Sequence, residues 1–173
     1  IFNPDTKENA GIFSQSQGWL ILAEALLGHG DRAFEYFMES APASMNDSAE
    51  IRVIEPYVHG QFVESTASPF EGRAHVHWLT GTASTVMVGC VEGILGMRPN
   101  AKGLRICPSI PKEWDGITIK KSFRGSRLDI TVDNSAHVES GVKELILNGE
   151  RLEGCLIPED KLLPENKVTV VLG

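Results

Sequence analysis

Residues 19–27 constrain the fold of this chain more than any other stretch. They read WLILAEALL, which is apolar on nearly every side of a helix, with Glu24 as the one charged exception. A helix that is hydrophobic all round is usually buried on both flanks, so this helix requires packing partners on either side. Gly28 and Gly30 follow at once, and glycine commonly ends helices.

Two more helices are expected before residue 100. Over residues 31–40, apolar side chains recur at the i, i+3 and i+4 spacing of one helical face, which predicts the second arm of a helical hairpin. Residues 83–95 are rich in small residues and predict a third helix that packs closely against its neighbours. Three helices bury a core poorly by themselves, and the chain does not begin with methionine. We therefore expect a piece of a longer protein, whose earlier helices complete the core.

The composition changes near residue 100, after which short alternating runs are typical of β-strands. One hairpin is predicted around residues 124–126, and Asn148-Gly149 is the strongest short hairpin signal. A last strand is predicted over residues 168–172. The expected fold class is α+β, with a helical domain at residues 1–100 and a small antiparallel β domain at residues 101–173.

The composition also excludes several classes of protein. The 173 residues carry a net charge of −7, which disfavours a non-specific nucleic-acid binder with a basic face. No stretch approaches the roughly 20 apolar residues of a membrane span. Cys90, Cys107 and Cys155 are odd in number and widely spaced, so neither a disulfide framework nor a zinc knuckle is expected. A reducing, cytoplasmic setting is therefore favoured.

Thr80 and Gly81 stand just before the predicted third helix, within HWLTGTAST. The N–H groups at a helix N-terminus attract anions, glycine lets a ligand approach the backbone, and threonine adds a hydroxyl donor. Threonine is also a common helix cap, and on spacing alone capping is the more frequent role. Both interpretations stay open at this point.

Polar residues crowd around Gly11 in the stretch KENAGIFSQSQGW, just before the apolar run. They could form a solvated loop, although Ile12, Phe13 and Trp19 indicate that the loop is partly buried. Buried polar groups must be hydrogen-bonded, either internally or to a ligand rich in hydroxyls such as a sugar.

Neither a catalytic carboxylate pair nor a metal site is predicted. The acidic residues before residue 100 are spread out, and spacing forces none of them next to another. His75 and His77 would supply two metal ligands without a third. Residues 41–79 form a long connection without a sustained period, and its aromatic residues argue against disorder.

Several motifs in order resemble the inverting glycoside phosphorylases of glycoside hydrolase family 94. They are KENAGIF, GWLILAEALLGHGDRAFEYF, AEIRVIEPYVHGQF, HWLTGTAS, GILGMRPNAKGLRICPSIPKEWDG and SFRG, and together they cover nearly the whole chain. This family includes cellobiose, cellodextrin and chitobiose phosphorylases. GWLILAEALLGHGDRAF and HVHWLTGTASTVMVG look most like cellodextrin phosphorylase.

The resemblance implies the last helices of an (α/α)6 barrel followed by a C-terminal β domain. It also implies that phosphate attacks the anomeric carbon while an aspartic acid protonates the leaving oxygen. Phosphate is itself the nucleophile, so no carboxylate base is needed. The general acid and a phosphate-binding arginine would lie upstream, so no catalytic residue, metal or cofactor is expected here.

Five residues match family positions, and a sixth departs from the family pattern. Thr80 and Gly81 match the family's phosphate-site pair, Lys7 and Glu8 match residues lining the acceptor sugar, and Gln61 matches a contact to the transferred sugar. Gln15 stands where the family pattern GIF-x-H has histidine. Glutamine can donate a hydrogen bond but cannot become cationic, so weaker phosphate binding is expected.

The resulting hypothesis is the C-terminal part of a phosphorylase that acts on β-linked gluco-oligosaccharides of the cellodextrin type, incomplete without the rest of its barrel. Its partners would be the oligosaccharide, inorganic phosphate as co-substrate and the remainder of the barrel, with a homodimer possible. The alternatives are a non-catalytic sugar-binding or structural module, or a hydrolase or synthase domain on the same barrel.

Overall fold

The helical part of the chain consists of a hairpin with a third helix laid across it, in a computed structural model that describes residues 2–173. Helices α1 (Ser16–Leu27) and α2 (Gly30–Ser40) form the hairpin. After a short α3 (Ala49–Arg52), α4 (Thr82–Val88) continues into a π-helix (Gly89–Ile94). The three predicted helices are therefore confirmed, while the π-helical second half of the third was not expected. Ile1, where the predicted helical domain begins, lies outside the described residues.

Small residues let α1 and α4 approach to backbone contact. A Cβ added to Gly18 would lie 2.6 Å from the backbone nitrogen of Val86, and one added to Gly89 would lie 2.8 Å from the carbonyl oxygen of Gly18. Ile21 is fully buried beside this crossing. The predicted close packing of a helix rich in small residues is confirmed.

The apolar surface of α1 is only partly covered. Ile21 and Ala25 are buried, whereas Trp19 is 60% and Leu27 is 70% exposed. The expectation that this helix is buried on both flanks is therefore wrong for residues 2–173. The reason is geometric, because α2 and α4 pack on one side and no element of the described chain covers the other.

A three-stranded antiparallel sheet organises the long connection. Strand β1 (Ile12–Phe13) pairs with β2 (Phe62–Val63), and β2 pairs with β3 (Ala74–His75). A 3₁₀ helix (Pro42–Ser48) precedes α3 in the same connection. The connection is thus tied by its backbone to the residues that precede α1.

Two further sheets form the C-terminal part. The smaller has the order β10-β5-β4, and the larger has five strands in the order β6-β7-β11-β8-β9. The strands are β4 (Met97–Asn100), β5 (Gly103–Ile106), β6 (Gly116–Phe123), β7 (Ser126–Asp133), β8 (Val142–Leu147), β9 (Glu150–Leu152), β10 (Leu156–Pro158) and β11 (Glu165–Leu172).

The predicted hairpins and last strand are confirmed. Strands β6 and β7 are joined by Arg124-Gly125, and β8 and β9 by Asn148-Gly149. All four of these turn residues have positive φ, which matches the type I′ turns that suit the twist of a two-residue hairpin.

The expected all-antiparallel arrangement of the β domain is wrong. Strand β11 lies between the two hairpins and runs parallel to β7 while it pairs antiparallel with β8. A sequence with alternating side chains indicates which face of a strand is buried but carries no information on its direction. The larger sheet is therefore mixed, and the fold class remains α+β.

Cys107 and Cys155 form a disulfide pair, with their Cα atoms 6.0 Å apart. Cys107 follows β5 and Cys155 precedes β10, and these two strands pair with each other. The expectation of no disulfide is therefore wrong, because sheet pairing joins two positions that are 48 residues apart in sequence. The argument for a reducing compartment loses this support.

No helix within residues 2–173 is long and apolar enough to cross a membrane.

The helical and β parts meet at the start of α2. Asp31 accepts hydrogen bonds from the backbone nitrogen of Lys112 at 2.9 Å and from its Nζ at 2.6 Å, while its own N–H donates to Glu139. The bonds from Lys112 hold the pKa of Asp31 below its ordinary value. Gly30 lies directly against the backbone of Ile110.

We expect Gly30→Ala to destabilise the protein by about 1–3 kcal/mol, which is typical of overpacking. The added Cβ would lie 2.6 Å from the carbonyl carbon of Ile110, and this backbone cannot move aside easily. Gly30 is the first residue of α2, so the gain in helix propensity is smaller than the roughly 1 kcal/mol of a helix interior and does not cancel the clash. Thermal unfolding measures the difference, with Glu39→Ala on the exposed face of α2 as control. Equal stability of both variants and the wild type would contradict the contact.

Candidate functional site

Three parts of the chain converge next to the beginnings of α1 and α4. They are the N-terminal loop (residues 2–11), the sheet of β1, β2 and β3, and residues 76–81 before α4. The N–H of Ser14 donates to the carbonyl of Gln61 at 2.9 Å, and the N–H of Gln61 donates to that of His75 at 2.8 Å. These bonds align the residues before α1 with residues 61 and 75 of the connection, and they bring most of the predicted site residues together.

Lys7 and Gln61, both predicted sugar contacts, are in direct contact. Nζ of Lys7 donates to Oε1 of Gln61 at 2.6 Å and lies 5.5 Å from the centroid of the Phe62 ring. Both side chains are partly buried, and Glu8 is exposed on the same loop. An ammonium and an amide held together can donate to several hydroxyl groups at once.

The backbone of the N-terminal loop is strained. Asp5, Lys7 and Ala10 have φ values of 64°, 48° and 71°, in the left-handed region. Such residues cost on the order of 1–3 kcal/mol each and persist only where surrounding contacts hold them. Here the buried carboxylate of Asp5 accepts a hydrogen bond from the Ser65 hydroxyl. The position of Lys7 is therefore imposed by tertiary contacts.

Glu64 forms a second buried carboxylate group behind the sheet. Its side chain accepts hydrogen bonds from the Ser68 hydroxyl and lies 2.5 Å from Nε2 of His75. The bond from Ser68, followed by that from His75, holds the pKa of Glu64 below its ordinary value. The imidazole of His75 stacks on the Phe62 ring, with centroids 4.9 Å apart and planes 9° apart.

His75 and His77 have different partners. His75 faces Glu64, whereas Nδ1 of His77 lies 3.9 Å from a carboxylate oxygen of Glu55. Val76 between them has a φ of 53°, which ends the strand geometry that would place both rings on one face.

Gln15, Thr80 and Gly81 converge at the start of α4, and we name them the phosphate-site candidates. A Cβ added to Gly81 would lie 3.5 Å from Oε1 of Gln15, so the amide of Gln15 borders that glycine. The hydroxyl of Thr85 donates to the carbonyl of Gln15 at 2.9 Å and fixes the two helix starts relative to each other.

Thr80 has a capping role in the structure. Its Oγ1 accepts a hydrogen bond from the N–H of Thr82 at 3.1 Å and lies 2.8 Å from the Thr82 hydroxyl. The Thr82 hydroxyl itself donates to the carbonyl of Gly60 at 3.2 Å. Because the single hydrogen of the Thr82 hydroxyl goes to Gly60, the Thr80 hydroxyl donates to Thr82 in their 2.8 Å contact. An anion bound beside Thr80 would take this hydrogen in exchange for the bond to Thr82.

Sequence reasoning missed the supporting residues of this site. Asp5 and Phe62 were not singled out, and Glu64 stood among carboxylates with no evident partner. Their partners lie 60 residues away for Asp5 and 11 residues away for Glu64. Spacing along the chain contains no signal for such pairs, because a sheet register brings them together.

We expect Ser68→Ala to lower stability near neutral pH and to reduce its dependence on acid. Since the folded-state pKa of Glu64 lies below its ordinary value of 4.5, the ionised carboxylate stabilises the fold above that pH. This contribution is lost as the pH falls through the folded-state pKa. Melting temperatures between pH 7 and pH 3 should therefore differ most at pH 7 and converge in acid. A constant difference would show that the Ser68 bond does not act on the charged form.

Two family models match the chain. The catalytic domain of the glycosyl hydrolase 94 superfamily matches residues 1–96, and the C-terminal domain of glycosyl hydrolase family 65 matches residues 97–152.

Three relatives are similar over most of this chain. N,N'-diacetylchitobiose phosphorylases from Vibrio proteolyticus and Vibrio furnissii are each 39% identical over 96% of this chain and 21% of their own length. Solabiose phosphorylase from Paenibacillus borealis is 27% identical over 91% of this chain and 20% of its own. The chain thus spans about a fifth of the length of these relatives. Since the first family model covers more than half of the residues, the chain belongs to the glycosyl hydrolase 94 superfamily.

Proposed function

We propose that this chain is the C-terminal part of an inverting glycoside phosphorylase. Residues 1–100 would complete an (α/α)6 barrel, and residues 101–173 would form the β domain that follows it. Family membership and the phosphorylase relatives support the reaction class. The remainder of the barrel, which supplies the general-acid aspartate, would be the partner without which this part is inactive.

The observation that carries the proposal is the convergence of the phosphate-site candidates beside the Lys7–Gln61 pair. Gln15 offers an amide, Thr80 a hydroxyl that can exchange its bond to Thr82 for one to an anion, and Gly81 an exposed backbone at the start of α4. Sheet bonds place Gln61 next to His75, five residues before Thr80. An anion and a sugar bound at these two places would be neighbours, as phosphorolysis requires.

The chemistry then needs no second carboxylate. A phosphate oxygen forms a bond to the anomeric carbon as the glycosidic bond breaks, and the general acid gives its proton to the leaving oxygen. Attack from the opposite face inverts the configuration and yields an α-sugar 1-phosphate. In this chain, the phosphate-site candidates bind and orient the nucleophile, and Lys7, Glu8 and Gln61 hold the sugars. Phosphate is the co-substrate and no cofactor takes part.

The exposed apolar face of α1 supports the proposal of a larger barrel. Trp19, Leu20, Leu26 and Leu27 are 45–70% exposed on one helix. Exposed apolar groups in such a patch are usually covered by another protein surface. Preceding barrel helices of the same polypeptide would bury them.

The sugar is proposed to be a β-linked gluco-oligosaccharide of the cellodextrin type, on the motif similarity described above. A second candidate is N,N'-diacetylchitobiose, favoured by the 39% identity to two phosphorylases of that name. Both substrates present a β-linked hexose to the same reaction, so the proposed roles of the residues are unchanged.

The full-length protein tests the proposal with cellobiose, cellotriose and N,N'-diacetylchitobiose, each with and without inorganic phosphate. We expect phosphate-dependent release of an α-sugar 1-phosphate, identified by ³¹P and ¹H NMR. Sugar release that ignores phosphate would indicate a hydrolase. Sugar binding without any turnover would indicate a binding module.

Gln15→His should lower the KM for phosphate and make it depend on pH. A histidine at this place borders Gly81 and can become cationic near neutral pH, whereas the amide cannot. An unchanged phosphate KM in Gln15→His would show that the site does not use a cation here.

Thr80→Ala removes a proposed donor to phosphate and should raise the phosphate KM by about 10- to 150-fold, as expected for one hydrogen bond to a charged group. Initial rates at varied phosphate between pH 5.5 and 8 measure both. An unchanged phosphate KM in Thr80→Ala would remove this residue from the site.

A further inference from the structure

Glu64 is a buried carboxylate to which the proposed reaction assigns no role. We propose that Glu64 is a positioning residue that holds the Lys7–Gln61 pair in its sugar-binding geometry through His75 and Phe62. The inference rests on the proposed function, because it concerns the same sugar contacts.

Glu64 is itself held firmly. Its side chain is about 7% exposed, and its backbone pairs with Arg73 and Gly72 through two hydrogen bonds of 3.0 Å. One carboxylate oxygen lies 2.5 Å from Nε2 of His75 and the other accepts the Ser68 hydroxyl bond. With both oxygens engaged, the carboxylate cannot rotate, and it sets the plane of the imidazole.

His75 transmits this orientation to Phe62. The two residues are cross-strand partners in β2 and β3, and their rings lie almost parallel at 4.9 Å. The carbonyl of His75 also accepts the N–H of Gln61. A rotation of the imidazole would therefore displace the phenyl ring next to Gln61.

Phe62 in turn supports the ammonium of Lys7. Nζ lies 5.5 Å from the ring centroid, within the range of a cation–π interaction, and donates to Gln61 at 2.6 Å. Lys7 stands on a strained loop that Asp5 anchors through Ser65. The Phe62 ring and the N-terminal loop together hold the Lys7 ammonium beside the Gln61 amide.

Packing alone does not require a carboxylate at the buried position of Glu64, so its presence indicates another role. Burying a charge is costly unless it is fully hydrogen-bonded, and an apolar residue of similar volume is often equally stabilising. Of its two side-chain partners, Ser68 fixes the carboxylate and His75 leads through Phe62 to the sugar contacts, which favours a role in orientation.

The test is Glu64→Gln in the full-length enzyme. We expect the KM for the disaccharide to rise about tenfold, the size of a coupling between contacting residues. The kcat and the phosphate KM should stay within about twofold. The disaccharide is cellobiose or N,N'-diacetylchitobiose, whichever the wild type phosphorolyses. Glu144→Gln, at a partly exposed ion pair with Arg151 on the β domain, is the matched control and should behave as wild type. A purely structural role would lower the melting temperature and the active fraction while the KM stayed unchanged.

A double-mutant cycle with Lys7→Ala separates positioning from direct contact. Because Glu64 acts through Lys7, adding Glu64→Gln to Lys7→Ala should cause no further rise in the disaccharide KM. Additive effects would overturn the inference.

If Glu64→Gln does not fold, Ser68→Ala is the second variant. It frees one oxygen of the Glu64 carboxylate and should also raise the disaccharide KM, by a smaller factor. A wild type without phosphorolysis would refute the proposed function, whereas an active wild type with an unaffected Glu64→Gln would refute this inference alone.

Discussion

The close crossing of α1 and α4 is the constraint on which the rest of the structure depends. Gly18 and Gly89 allow the two helices to touch through their backbones, at distances that a side chain would prevent. Helix α1 begins about one turn before Gly18, after Gln15, and α4 begins about two turns before Gly89, after Gly81. The contact that joins the helices therefore also places the Gln15 amide beside Gly81, where we propose that phosphate binds.

The small sheet of β1, β2 and β3 adds the second half of the proposed site. Its bonds connect the N-terminal loop with residues 61–75 and hold Lys7 against Gln61. The strain in the loop is offset by the buried carboxylate of Asp5, which is bonded to Ser65 of the connection. Strained backbone of this kind is typical of loops that position groups for a ligand.

Local patterns predicted the elements well and their assembly poorly. The helices of residues 16–40 and both hairpins follow from periodicity and from turn residues with positive φ, because those signals act between near neighbours. The direction of β11 and the pairing of Cys107 with Cys155 depend on which strands become neighbours in a sheet. The site was predicted from family motifs, and its supporting residues Asp5, Phe62 and Glu64 carry no spacing signal that could have revealed them.

The sequence by itself determined the α+β class, the three helices, the two hairpins and, through ordered motifs, the family. These depend on side-chain periodicity and short turns, which are properties of contiguous residues. Only the tertiary structure decided that α1 keeps an exposed apolar face, that the larger sheet is mixed and that Gln15 borders Gly81. It also decided that Glu64 is linked to Lys7 through His75 and Phe62, because residues far apart in the chain meet only when sheet register and helix crossing bring them together.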